Sequence, residues 1–447
     1  MRNNKVREIL ELAVPATVES ILQTLVGFID TLMISRLGLL AVTAVGISGN
    51  IFAIYLAVFI ALGVGTSSLI SRYLGAGKPE EARRIAVQST GLALVSGALF
   101  GGASLVFSRQ LLGLLGAQAD VVTQALPFFQ VVGAASVLIS LLTVFGTMLR
   151  ATGDARTPLM VNSLVNVLNV GLDLILIFGL GPIPALGILG TAIGTVLARL
   201  VGVILMYRKI RQSKVGFSVS DVFARSNYTE LVRLSVPAAL ERLVMRLGQV
   251  LYFGMIISMG VKTYAAHSIA GNLEAFNYMP AFGLAAAASV LVGNQTGKGD
   301  RKAAYEYGVL SFRLGACVMA ALGIIMFIGS PWFATWFTRD AEAIRKIVTA
   351  LRIDTFAQVP LAANLIYAGA LHGQGDTKSP LNSTIIGMWG LRVVGVYILG
   401  IRLGWDIAGV WLAILIDITM RAIFLFLRFR RRSLTGEPAI LLEKPNE

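Results

Sequence analysis

Cysteine occurs once in this chain, at Cys317, which excludes a disulfide framework and a cysteine-ligated zinc site. Histidine occurs twice, at His267 and His372, too sparsely for a histidine metal centre. Charged residues make up only 14% of the chain, where a soluble protein carries about a quarter. That shortfall argues against a soluble enzyme or a DNA-binding protein. There is no GxxxxGK[ST] loop, since Gly75-Ala76-Gly77-Lys78-Pro79-Glu80 lacks the spacing. There is also no HExxH, no Ser/His/Asp set and no redox pair, so the chain is not read as an enzyme or an ATP-driven pump. No cleavable leader is expected. The apolar run after Lys5 is long, contains Glu19 and Asp30, and lacks a small-residue cleavage site.

What is plentiful is apolar surface. Hydrophobic residues make up 56% of the 447 residues, and the mean hydropathy is +0.76. A helix needs about 20 such residues to cross a bilayer. Twelve stretches qualify, at 14–35, 44–73, 85–107, 121–148, 158–179, 188–207, 231–258, 263–292, 306–329, 343–370, 380–400 and 407–428. Runs such as Ile175-Leu176-Ile177-Phe178 do not alternate, so a membrane barrel does not fit. The net charge of +14 sorts by side: 24 Lys and Arg fall on the side of the two termini and about eight on the other. The positive-inside rule then places both termini in the cytoplasm and the chain in the cell's inner membrane, with the bilayer rather than nucleic acid as its partner.

The chain repeats itself with a period of 222 residues. Ala13-Val14-Pro15-Ala16 with Glu19 recurs as Ser235-Val236-Pro237-Ala238 with Glu241, and Gly153-Asp154…Pro158 recurs as Gly375-Asp376…Pro380. Near the end the register is ambiguous by three residues, between Gly187 and Gly190 as the partner of Gly409. Six spans per half make this a parallel repeat. The expected fold is an all-α polytopic membrane protein of twelve helices in two six-helix bundles around a central cleft. The expected division is an N-lobe 1–207, a linker 208–230, a C-lobe 231–430 and a cytoplasmic tail 431–447. Two similar bundles suit alternating access. A channel or sensing membrane protein is the rival of another class.

Ionisable groups inside spans are costly and are functional suspects. Asp30 and Asp173 each lie fifteen residues beyond the inner end of their span, about 22 Å at 1.5 Å per residue. Asn169 shares a helix face with Asp173, and Thr191 starts the next span at similar depth. Two carboxylates, an amide oxygen and a hydroxyl form an all-oxygen set suited to a proton or a hard cation. The alternative is a pair of buried acids satisfied by hydroxyls or by Arg199. The second half lacks this set, because Tyr252 and Gly395 stand at the equivalents of Asp30 and Asp173. It carries Glu274 instead, near Tyr278 and Met279, a grouping that suits an amphiphilic cation or, equally, a buried glutamate with a basic partner. Asp417 and Arg421, four apart, are expected to pair, as are the neighbours Glu241 and Arg242. Pro15 permits a kink in span 1.

Taken together, in order and duplicated, these pieces resemble the MATE (multidrug and toxic compound extrusion) antiporters. The resemblance covers residues 8–430 and is carried by Pro15, Asp30-Thr31-Leu32-Met33 with Gly38, Gly75-Ala76-Gly77, Arg150-Ala151-Thr152-Gly153-Asp154 with Pro158, Asn169…Asp173, Val292-Gly293-Asn294-Gln295 and Gly373-Gln374-Gly375-Asp376-Thr377. The lack of matching acids in spans 7 and 10 points to the DinF-like branch. The resemblance implies export of cationic lipophilic compounds in exchange for protons. It gives Asp30, Asn169, Asp173 and Thr191 as ligands of the coupling ion and places Gln23 and Met33 in the substrate cavity. No cofactor is implied beyond H+ or Na+ as the coupling ion. A sodium-coupled exporter and a lipid-linked precursor flippase of the same superfamily are the alternatives. Neither the physiological substrate nor the oligomeric state is legible.

Overall fold

A computed structural model describes residues 2–180, 184–223 and 227–435. Most of the predicted tail and part of the predicted linker lie outside the described residues. Among the described residues the chain is helical throughout, without a strand of any length. The helices are α1 (Arg2–Ser35), α2 (Leu39–Gly75), α3 (Pro79–Val106), the short α4 (Ser108–Leu114), α5 (Ala119–Ala134), α6 (Ser136–Ala151), α7 (Arg156–Phe178), α8 (Ile188–Arg211), α9 (Thr229–Ser258), α10 (Val261–Asn277), α11 (Met279–Lys298), α12 (Arg301–Thr335), α13 (Ala341–Gly373), α14 (Lys378–Arg402) and α15 (Asp406–Thr435).

These elements follow the twelve apolar stretches in order. Eight single helices are long and apolar enough to span a membrane. Two further spans are bent pairs, α5 with α6 at 46° and α10 with α11 at 45°. The sequence predicts each as one straight helix. Pro280, at the second position of α11, explains the second bend, because it cannot donate a backbone hydrogen bond back across the break. At the first break Gly133 lies so close to α3 that an added Cβ would sit 2.4 Å from Ser104 Cβ. The remaining two spans, α9 and α13, have the length but carry more charge. In α13 those charges are tolerated because the helix packs against α10, α11, α12 and α15.

The sequence does not predict the winding of α14. Ile385–Val393 and Val396–Arg402 form wide π-type turns, in which Gly387 lets the backbone approach Asp417 and Arg421. Such turns are rare.

The described chain forms two compact units. Among the described residues, one contains those within 18–74 and 78–239; the other contains 2–17, 75–77 and 240–435. Residues 2–17 of α1 therefore belong with the later helices, and residues 229–239 of α9 with the earlier ones. In the first of these units an aromatic core of Phe52, Tyr55, Phe100 and Phe129 joins α2, α3 and α5, with Phe52 stacked on Phe129 at 5.2 Å and Tyr55 on Phe100 at 4.4 Å.

The structure also settles the register of the repeat. An added Cβ on Gly190 would lie 2.4 Å from the Leu176 carbonyl oxygen, and one on Gly409 would lie 2.5 Å from Leu399 C. Both glycines press onto the preceding span, whereas Gly187 has open space beside it. Gly187 instead matches Asp406, the two having φ of 57° and 51° at the starts of α8 and α15. Gly190 therefore pairs with Gly409, and the last helix of the second half is shifted by three residues.

Candidate functional site

Helix α7 presents Asn169 and Asp173 from one face, one turn apart. The Asn169 side-chain amide donates to Asp173 Oδ1 at 3.2 Å and to Thr195 Oγ1 of α8 at 3.3 Å. The two helices meet closely because Gly194 lies directly under the carboxylate. A Cβ there would sit 2.3 Å from Asp173 Oδ1. Small residues at helix contacts are what bring backbones together in a membrane. Asp173 is fully buried, and Asn169 and Thr191 nearly so. Thr191 lies one turn before Thr195 on the same face of α8.

Asp30 approaches from α1 and is half-buried. Asp30, Asp173 and Arg199 of α8 interact electrostatically with one another. Yet Asp30 Oδ1, Asp173 Oδ2, Thr191 Oγ1 and Arg199 Nη1 are all buried without a hydrogen-bond partner. Buried polar atoms are paired in the great majority of cases. Here three oxygens on three helices are left open around one region. Arg199 meets both acids electrostatically but donates to none of these open oxygens, and no hydroxyl does, so the structural alternative is met only in part. The set can hold a small cation or a proton, with Arg199 opposing the bound charge. Thr195 is the site residue that sequence reasoning missed; its place one turn after Thr191 was the available signal.

The residues assigned to a substrate cavity do not form one group. Gln23 is exposed and Met33 buried on α1, both in the earlier unit. Glu274, Tyr278 and Met279 lie in the later unit. Tyr278 stands at the α10–α11 break, edge-on to Phe282 at 5.4 Å, and Met279 is buried. Glu274 interacts electrostatically with Arg392 of α14 and with Asp354 of α13. Asp354, which the sequence reading passes over, is buried and accepts from Gln358 Nε2 at 2.6 Å.

Both expected pairs are present, but each acid has a closer partner on another helix. Asp417 is held first by Arg392, whose Nε donates to Oδ2 at 2.8 Å, while Arg421 stands 4.0 Å away. The contact from another helix wins because α14 runs close beside α15. Glu241 faces His372 Nε2 at 3.6 Å and accepts from Thr384 Oγ1 at 3.4 Å; Arg242 interacts with it electrostatically only.

The MatE family profile matches this chain twice, over residues 15–175 and 237–398. The second match begins 222 residues after the first, at the period read from the sequence. The chain belongs to the MatE family. It is 30% identical to the Probable multidrug resistance protein NorM of Thermotoga maritima, over 95% of this chain and 92% of that one. It is 26% identical to the FAD transporter of Shewanella oneidensis, over 89% of each. A crystal structure of MATE in the bent conformation matches with a TM-score of 0.90 at 26% identity, covering 97% of this chain and 96% of that one. The protein is thus a multi-pass membrane transporter of the MATE family, with its two-lobed twelve-helix fold. The comparisons speak for the family as a whole and do not single out its DinF-like branch.

Proposed function

We propose that this MATE protein is a secondary multidrug exporter that moves cationic lipophilic compounds outward in exchange for protons entering at Asp30, Asn169, Asp173 and Thr191. The observation that carries this reading is the set of buried, unpartnered oxygens on α1, α7 and α8. Two carboxylates beside each other resist double ionisation, so a cation arriving from outside is bound strongly there. Its charge neutralises α1, which bends about Pro15 and weakens the hold on substrate. Return requires release of the cation inward, and substrate and cation oppose each other through a shared coupling free energy. The excess of basic residues in the terminal-side loops supports an orientation with both termini in the cytoplasm. The same four oxygens accommodate sodium, which is the second coupling ion to test.

Purified protein in proteoliposomes, loaded with a cationic dye and given a pH gradient or a sodium gradient, provides the test. Dye movement with protons alone, lost in Asp30→Asn, is the expected result. Movement with sodium alone keeps the site and changes the ion. No movement with either overturns the exporter and turns attention to a lipid-linked substrate. An anionic cargo belongs in the same screen, because a relative of similar distance is named for FAD.

A further inference from the structure

Helix α1 is held at two points by two different units. Within the later unit, Lys5 pairs with Glu306 and Glu8 accepts from Tyr307, both on α12. In the same unit Thr17 packs on Gly283 of α11, where an added Cβ would lie 2.1 Å from Thr17 Oγ1. Two residues further on, Glu19 is bound within the earlier unit. Its Oε2 accepts from Arg150 Nη1 at 3.0 Å and its Oε1 from Asn162 Nδ2 at 2.6 Å. Pro15 lies between Glu8 and Thr17, inside the stretch held by the later unit and one turn before Glu19.

The arrangement recurs at the repeat period. Glu230 of α9 accepts from Tyr73 at 2.9 Å and 3.1 Å, Pro237 follows, and Glu241 takes His372 on Oε2 and Thr384 on Oε1. Glu8, Pro15, Glu19, Arg150 and Asn162 each map 222 residues on, to Glu230, Pro237, Glu241, His372 and Thr384. At Glu19 and Glu241 the corresponding carboxylate oxygens face the corresponding partners, whereas the tyrosines on Glu8 and Glu230 are not repeat mates. The copies differ in grip: at Glu19 a permanent guanidinium and an amide bind at hydrogen-bond distance, whereas at Glu241 the contacts are 3.6 Å and 3.4 Å.

Glu19 and Asp30 are eleven residues apart, three turns of one helix, so they share a face about 16 Å apart. We propose that Glu19 is a positioning residue for transport. With Arg150 and Asn162 it pins the inner end of the segment that carries Asp30, so that a change of charge at Asp30 acts on a fixed helix and is not lost by sliding. This rests on the cation-coupled reading above. The looser copy at Glu241 pins α9 less and contributes less to coupling.

The test begins with wild type and Asp30→Asn in the gradient-driven dye assay. Absence of cation-driven flux there would sink the functional reading itself. Given that flux, Glu19→Gln keeps an acceptor for Asn162 and removes the charge that Arg150 needs. The expected result is a fall in maximal rate of about tenfold, with dye KM within about twofold and dye binding intact. The reversed pair Glu19→Arg with Arg150→Glu recovers much of the rate, and Glu241→Gln loses less than Glu19→Gln. Should Glu19→Gln fail to assemble, Arg150→Lys, which keeps charge but loses the guanidinium fork, carries the same comparison. A wild-type rate in these variants overturns the proposal. So does a joint loss of rate, binding and melting temperature that the reversed pair does not repair, since that is the signature of scaffold alone.

Discussion

Gly194 offers a perturbation whose size can be worked from the structure. An alanine Cβ at this position would sit 2.3 Å from Asp173 Oδ1 and 3.3 Å from Leu172 Cβ. Ordinary contact begins at 3.4 Å, so the carboxylate must retreat by about 1 Å. It has little freedom to do so, being fully buried and tied through Oδ1 to Asn169. Overpacking of this kind costs about 1–3 kcal/mol, which a folded protein of this size tolerates. A displacement of about 1 Å in a group that must be accurately placed costs function on the order of 10²-fold. The expected outcome of Gly194→Ala is therefore a 10- to 100-fold loss of cation-driven dye efflux in proteoliposomes, with a melting temperature only a few degrees lower. Gly171→Ala on α7 is the matched control, since nothing lies within 4 Å of a Cβ there and alanine favours the helix by about 1 kcal/mol. Gly194→Ala running at the wild-type rate with its gradient dependence intact would refute the reasoning, because the close approach would then have no bearing on transport.

Asp30→Asn and Asp173→Asn should each abolish gradient-driven efflux while leaving downhill dye binding measurable by fluorescence polarisation; retention of driven efflux in both would remove this site from coupling. Arg392→Met should destabilise by about 3–5 kcal/mol, since it leaves Asp417 buried and uncompensated, and Arg421→Met should cost less, as a thermal melt in detergent would show. Asp340, in the loop before α13, is held below the usual carboxylate range by the Ala343 N–H and by Lys262. A depressed carboxyl adds stability above its unfolded pKa and loses it as the pH falls through the folded value, so Asp340→Ala should melt lower at neutral pH, with the gap closing below about pH 4.

Much of this fold was legible because a bilayer leaves few options. Apolar runs must be helices, helices have a fixed rise, and counting fifteen residues from Pro15 and from Pro158 placed Asp30 and Asp173 at one depth. The electrostatic contact between them agrees with that count. What was not legible depended on neighbours. The i,i+4 rule pairs Asp417 with Arg421, but it says nothing about an arginine arriving from α14, which is the closer partner. The wide turns of α14 and the break at Ala135 carry no sequence mark, because each follows from packing against another helix. Asp354 was overlooked for a similar reason: a lone acid in a charged-looking span does not reveal that its surroundings are dry.

The two halves have kept the features that hold helices and changed those that hold charge. Glu8, Pro15 and Glu19 have counterparts in Glu230, Pro237 and Glu241, and at Glu19 and Glu241 the partners are equivalent too. The counterpart of Asp30 is Tyr252, and the Arg392 guanidinium stands over its ring at 5.8 Å. Gly395, at the place of Asp173, packs on Ala413. In the settled register Thr191 corresponds to Val410, a fully buried apolar residue. A buried charge is costly unless it is compensated. The second half compensates Asp417 from within, with a permanent cation. The first half leaves Asp30, Asp173 and Thr191 with open oxygens, and Arg199 meets its two acids electrostatically without a hydrogen bond at Nη1. The second half keeps a buried open oxygen of its own at Asp354, near Glu274, so the coupling proposed above rests on the first half having two such carboxylates together with Thr191.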